Sequence, residues 1–167
     1  DTDIVIHAAA LKHVNSSEYN PFEAVKTNIV GMQNIIDVCM EEEIEKFIFT
    51  SSDKAANPTN VMGTTKLLGE RLTTAANYYK GKRKTRFSSV RYGNVIGSQG
   101  SAVPLFMRQI RKGVPVTITD CNMTRFVMSK KEAVQLIFKS ISLMQGGEVF
   151  ILKMPVFKVS DLYEVVA

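Results

Sequence analysis

The period of the hydrophobic positions changes several times along the chain. From Asp3 to Ala8 the apolar residues run without a break and close on small ones. A strand covered on both faces loses the usual in–out alternation, so this run predicts a buried strand of a parallel sheet. Asn20-Pro21 offers an N-cap with proline at the first helical position. From Phe22 to about Glu43, residues Ala24, Val25, Ile29, Met32, Ile35, Ile36 and Cys39 keep a helical period. Lys46 to Ser51 predicts a second buried strand, Ser52 to Asn60 a polar loop, Val61 to Tyr79 a helix and Arg86 to Tyr92 a third strand.

After Gly93 the texture changes. Gly97, Gly100 and Pro104 mark a loop, with a short helix from about Ala102 to Lys112 and a short strand from Val116 to Thr119. Ser129 with Glu132 forms a capping box that opens a helix to about Leu143. Glu148 to Leu152 predicts a strand, and Ser160 is expected to cap a last helix. The alternation of strands and helices places the chain in the α/β class, a parallel sheet covered by helices. The expected portions are 1–95 and 96–167.

Composition narrows the function classes. Of 167 residues, 45% are hydrophobic and 22% charged, which suits a globular core and excludes disorder. No apolar run reaches the roughly 18 residues of a membrane helix. The opening Asp1-Thr2-Asp3 is acidic where a secretion signal would be basic. Cys39 and Cys121 lie far apart and form no CxxC, so a reduced, cytoplasmic protein is expected. The chain does not begin with Met and opens on a strand, so a fragment is expected, with any membrane segment in an N-terminal part beyond it. Net charge is 21 − 16 = +5. Part of it lies in Lys80, Lys82, Arg83, Lys84 and Arg86, a run that suits either a solvated loop or an anionic ligand. Aromatic residues do not interleave with this run, so no nucleic-acid partner is expected. His7 and His13 have no partner at metal-ligand spacing, so no metal is expected.

In open parallel sheets, ligands sit at the carboxyl ends of the strands. The loops His7 to Val14, Ser51 to Asn60 and Tyr92 to Gly100 should therefore hold the chemistry. Ala8, Ala9 and Ala10 let a backbone approach a flat ligand, or simply make a tight turn. Lys12 and His13 suit a phosphate or sugar oxygen, or plain solvent. Ser51-Ser52-Asp53-Lys54 sets an acid beside a base, able to protonate a leaving group and remove a nearby proton. A local cap or salt bridge fits the same residues. Met62 and Lys66 share one helix face, and Lys66 could hold a ribose or lower a neighbour's pKa. Gly93, Gly97 and Gly100 do not have GxGxxG spacing, and the Walker pattern is absent.

Five segments resemble a known family when taken together: His7 to Val14, Glu18 to Asn28, Thr50 to Lys66, Val90 to Val95 and Met123 to Phe126. They are similar to the extended short-chain dehydrogenase/reductases, and within these to the nucleotide-sugar 4,6-dehydratases that act on UDP-N-acetylglucosamine. The resemblance implies a Rossmann-like fold, a tightly held NADP or NAD, and a UDP-sugar substrate, with subunit pairing by analogy. It implies Asp53 as acid for the C6 hydroxyl and Lys54 as base at C5. Ser51 or Ser52 would bond the C4 oxygen, and Lys66 the nicotinamide ribose. His7, Ala8, Ala9, Ser51, Lys66, Tyr92, Gly93, Asn94 and Val95 would line the cofactor; Lys12, His13, Asn94 and Arg125 would meet the sugar nucleotide. Two departures stand out. The family's glycine-rich first loop is missing from this sequence. Where the wider family has a catalytic Tyr four residues before the Lys, Met62 stands, and a thioether has no titrating proton. Lys66 or Asp53, through water, is expected to take the C4 proton instead. A UDP-sugar 4-epimerase and a non-catalytic sugar-nucleotide binder are the rival expectations.

Overall fold

The computed structural model describes residues 2–98, 101–118 and 120–166. It divides into two compact units: Asp1–Tyr92 with Gln135–Leu152, and Gly93–Val134 with Lys153–Ala167. This differs from the expected split at residue 95, because the strand near residue 150 hydrogen-bonds to the strand that ends at Tyr92.

The first unit is a four-stranded parallel sheet in the order β1-β2-β3-β6. Its strands are β1 (Ile4–His7), β2 (Lys46–Ser52), β3 (Arg86–Tyr92) and β6 (Val149–Ile151). β2 and β3 pair over their whole length, from Lys46↔Arg86 to Ser52↔Tyr92. Alternate residues of each strand face opposite sides, and both sides are covered. On one side Phe47, Phe49 and Phe87 pack with Met32, Ile36, Cys39 and Ala76. On the other, Ile48 and Val90 pack with Leu136 and Met144. Each fully buried phenylalanine contributes about 1.5–3 kcal/mol. Burial on both sides is why these strands read as continuous apolar runs. Parallel strands with helices on both faces make this unit Rossmann-like.

The helix expected from Phe22 to Glu43 is segmented. α1 (Val14–Tyr19) and α2 (Pro21–Val25) precede a π-helical turn, Lys26–Val30, which leads into α3 (Gly31–Glu41). Pro21 stands in the first turn of α2 as expected. The Asn20 side chain does not cap it, but donates back to the Ser16 carbonyl at 3.2 Å. α4 (Val61–Tyr79) has the expected bounds and is capped by Asn60 Oδ1, which accepts from Gly63 N at 2.8 Å.

The second unit is built from shorter pieces. β4 (Asn94–Val95) runs parallel to β5 (Thr124–Met128), which pairs antiparallel with β7 (Val156–Lys158). α5 (Ala102–Arg111) includes Pro104 in its first turn, where an amide donor has no helical partner to lose. The strand expected from Val116 is not formed over residues 116–118; Thr119, like Gly100, lies outside the described residues. The Ser129–Glu132 capping box is closed at the start of α6 (Lys130–Leu143), with Ser129 N to Glu132 Oε2 at 2.7 Å and Glu132 N to Ser129 Oγ at 3.1 Å. Ser160 lies inside α7 (Val159–Val166) and not before it. Among the described residues, no helix is long and apolar enough to cross a membrane, and no group of His, Cys, Asp and Glu could hold a metal ion.

Candidate active site

The register of β1, β2 and β3 brings His7, Ser51, Ser52 and Tyr92 to one edge of the sheet. Thr50 Oγ1 donates to the His7 carbonyl at 3.2 Å, tying the first two strand ends together. Lys66 reaches this edge from α4. Its Nζ donates to the Thr50 carbonyl at 2.8 Å and lies 4.8 Å from the centroid of Phe49. Lys66 is 7% exposed. Burial pulls its pKa down to about 8, with Glu70 pulling the other way.

His7 is buried, its ring stacked against Phe47 and Phe49. Burial lowers its pKa, and the Lys66 charge lowers it further. Its Nε2 and the buried Ser51 Oγ have no hydrogen-bond partner among the described residues. Buried polar atoms are rarely left unpaired, so both mark a place where a ligand could bond.

The turn after β2 carries Asp53 and Lys54, which pair with each other. Asp53 Oδ1 accepts from Ser52 Oγ at 2.9 Å and from Lys54 Nζ at 3.1 Å. Ser52 Oγ in turn accepts from Lys54 N at 3.3 Å, which caps the 3-10 turn Asp53–Ala55. Asp53 and Lys54 keep partial access to solvent. The first turn of α4 presses on this segment. A Cβ on Gly63 would stand 2.6 Å from the Lys54 carbonyl oxygen, so a larger residue there would force the two apart. Met62 is buried on the same helix as Lys66.

Two groups that sequence reasoning missed support this edge. Asn28, buried in the π-helical turn, accepts from Leu11 N at 2.8 Å and donates to Leu11 O and Thr65 Oγ1, each at 3.0 Å. It ties the first loop to α4. Glu70 on α4 accepts from Arg91 Nε and Nη2, each at 2.7 Å. The available signal was a polar residue on the buried face of each helix.

Other expected site residues are placed as follows. Ala8, Ala9, Lys12 and His13 are exposed in the first loop. Tyr92 packs against the Ile48–Val90 core, and burial raises its pKa to about 12, so it stays neutral. Gly93, Asn94, Val95 and Arg125 belong to the second unit. A Cβ on Gly93 would meet Met154 Sδ at 2.6 Å, a packing reason for glycine. Asn94 Nδ2 donates to Phe126 O at 2.8 Å, and Arg125 Nη1 to Thr124 O at 2.9 Å. Asn94, Val95 and Arg125 line a cavity of about 480 Å³ with Phe157 and Asp161.

A family model described as polysaccharide biosynthesis protein matches residues 1–167. An uncharacterized membrane protein of Methanocaldococcus jannaschii is 64% identical over 166 residues, covering 99% of this chain and 50% of that protein. A UDP-N-acetylglucosamine 4,6-dehydratase (inverting) of Campylobacter jejuni is 49% identical over 168 residues, covering 100% of this chain and 50% of that enzyme. Among solved structures, Pen from Bacillus thuringiensis is 51% identical with a TM-score of 0.95, over 98% of this chain and 50% of that one. The chain spans about half the length of the curated relatives it matches.

Proposed function

The chain belongs to the polysaccharide biosynthesis protein family, and from that premise we propose that it serves in a nicotinamide-dependent 4,6-dehydratase acting on UDP-N-acetylglucosamine. The observation that carries this reading is the Asp53–Lys54 contact at 3.1 Å, at the same sheet edge as Lys66. An elimination across C5 and C6 needs an acid and a base side by side, whereas epimerisation at C4 needs no acid at C6.

The residues suit a nicotinamide dinucleotide. His7 Nε2 and Ser51 Oγ are buried polar atoms awaiting a partner, and small residues follow at Ala8 and Ala9. Such a cofactor, when bound, would accept a hydride from sugar C4 and return it at C6. Lys66 would hold the ribose and favour negative charge on the C4 oxygen, while Ser52 bonds that oxygen. The ketone at C4 acidifies the C5 proton; Lys54, having passed a proton to Asp53 across their 3.1 Å hydrogen bond, removes it as the free amine. Asp53 protonates the C6 hydroxyl, which leaves as water. Lys54 ends the elimination carrying a proton that C5 takes up when the double bond is reduced. The proton of the C4 hydroxyl passes through water to Lys66 or Asp53, since Met62 cannot accept it. In the second unit, Arg125 presents a planar fork suited to a phosphate and lines one cavity with Asn94.

The test uses the intact gene product that carries this chain, incubated with UDP-N-acetylglucosamine. Loss of one water and a new C6 methyl signal by proton NMR are the expected result, and the C5 coupling reports the stereochemistry. An isomer of unchanged mass would show an epimerase. Substrate bound without conversion would overturn the enzymatic reading in favour of a binding module.

A further inference from the structure

Helix α4 places Glu70 one turn beyond Lys66, the spacing at which a lysine and a glutamate ordinarily form an ion pair. Among the described residues no such ion pair joins them. Both Glu70 oxygens are taken by Arg91 at 2.7 Å, the two-pronged geometry of a strong guanidinium–carboxylate contact. Lys66 instead turns to the Thr50 carbonyl and the Phe49 ring. The helix thus offers Lys66 an acidic neighbour, and β3 supplies the guanidinium that occupies it. Stability alone does not demand this arrangement. A buried ion pair replaced by apolar residues of similar volume is often neutral or stabilising.

We propose that Arg91 and Glu70 are positioning residues that set the ammonium–amine balance of Lys66, Arg91 compensating the carboxylate that would otherwise hold Lys66 as a fixed cation.

Titratable groups lie on every element packed against α4. On α1, Glu18 accepts from Val61 N and Tyr19 is exposed. Glu23 on α2 pairs with Lys26 of the π-helical turn, and β3 adds Arg86 and Tyr92. On β1 there is His7, which burial and Lys66 itself keep towards the neutral form. In the turn after β2, Asp53 and Lys54 bond each other. On α3, Cys39 is held neutral by burial, its pKa pushed up to about 11, and Asp37 acts on Tyr79. Glu70 is the acidic group that acts on Lys66, raising its pKa against the effect of burial. Whether that influence is strong or weak turns on Arg91.

The test is the titration of Lys66 in the intact gene product labelled with 13Cε-lysine. Proton–carbon NMR follows each lysine, and the Lys66 signal is the one lost in Lys66→Met. Arg91→Gln releases the Glu70 carboxylate and should raise the Lys66 midpoint by about one pH unit or more. Glu70→Gln leaves the Arg91 charge uncompensated and should lower it. Arg91→Lys keeps the charge and should return the midpoint towards the unmodified protein. A purely structural role would not move the two midpoints in opposite directions. Movement in one common direction, or none beyond about 0.3 unit against the one to three that a near charge produces, would overturn the proposal. If Arg91→Gln does not fold, the nearly isosteric Glu70→Gln decides alone, and a midpoint that stays or rises overturns it. The effect on turnover rests on the proposed reaction; the titration does not. Midpoints that move while the pH–rate profile stays fixed would remove Lys66 from the reaction and leave this inference standing.

Discussion

The two units hold their candidate groups in different ways. In the first, β2 and β3 are seven residues each and pair throughout. Lys66, Ser52 and Asp53 at their edge are bonded to backbone or to each other before any ligand arrives. In the second, β4 has two residues and β7 three. Arg125 is exposed there and bonds the carbonyl of the residue before it. On the reading proposed above, the difference teaches that the acid–base pair is set by the sheet and its turn, while the phosphate contact at Arg125 would be completed by a ligand.

The sharpest way to break this contrast is Asp53→Asn. Turnover should fall by about 10²–10⁴-fold while sugar-nucleotide affinity stays; near-normal turnover would remove Asp53 from the chemistry. Next comes a matched pair of truncations. Phe87→Ala, in the core of β3, should cost about 3–5 kcal/mol in denaturant unfolding. Phe126→Ala, on exposed β5, should cost about 1 kcal/mol or less. Equal costs would show that the second unit is as firmly packed as the first.

A pH measurement sharpens the comparison further. Lys66 has a folded pKa of about 8 against an ordinary 10.5. Between these values the unfolded chain binds the proton and the folded chain releases it, so stability rises with pH across that window. Thermal unfolding of Lys66→Met should lack this rise; a parallel rise in both proteins would place its origin elsewhere. The smallest effect concerns the second unit. Arg125→Ala should weaken UDP-sugar binding by about tenfold, as loss of a charged hydrogen bond does, and leave the melting temperature unchanged. Unaltered affinity would exclude phosphate contact.

β2 and β3 were legible because burial on both sides of the sheet left continuous apolar runs, and α4 because Asn60 caps it ahead of one long helical segment. β5 and β7 were not. Thr124–Met128 carries charge and is mostly exposed, so no face of it is marked by hydrophobicity. Val116 to Thr119 looked more like a strand and is not one over its described residues. The π-helical turn escaped for a related reason. One extra residue in a helix rotates everything after it, and the apolar period spans both sides of the shift without naming where it occurs.

The candidate site shows the same divide. Ser52, Asp53 and Lys54 are neighbours in sequence and bond each other in space, so the cluster could be read directly. Asn28 meets Leu11 and Thr65, and Glu70 meets Arg91, across long separations that no local pattern records. The carbonyl partner of Lys66 was equally hidden, because it depends on how α4 lies over β2. Gly93 was read as a cofactor contact, while its packing against Met154 is a reason visible only in three dimensions.

The path of the chain through the first unit has a consequence for how the protein is made. In this chain β1, β2 and β3 pair in sequence order, yet β6, the partner of β3, arrives only after the whole of Gly93–Val134. On the ribosome, β3 emerges with one edge unpaired and waits while Gly93–Val134 and the rest of α6 are synthesised. Such long-range parallel pairing is slow, and an open strand edge is a template for wrong partners. Between the emergence of Tyr92 and that of Ile151, the open β3 edge should make the nascent chain prone to aggregate and dependent on chaperones.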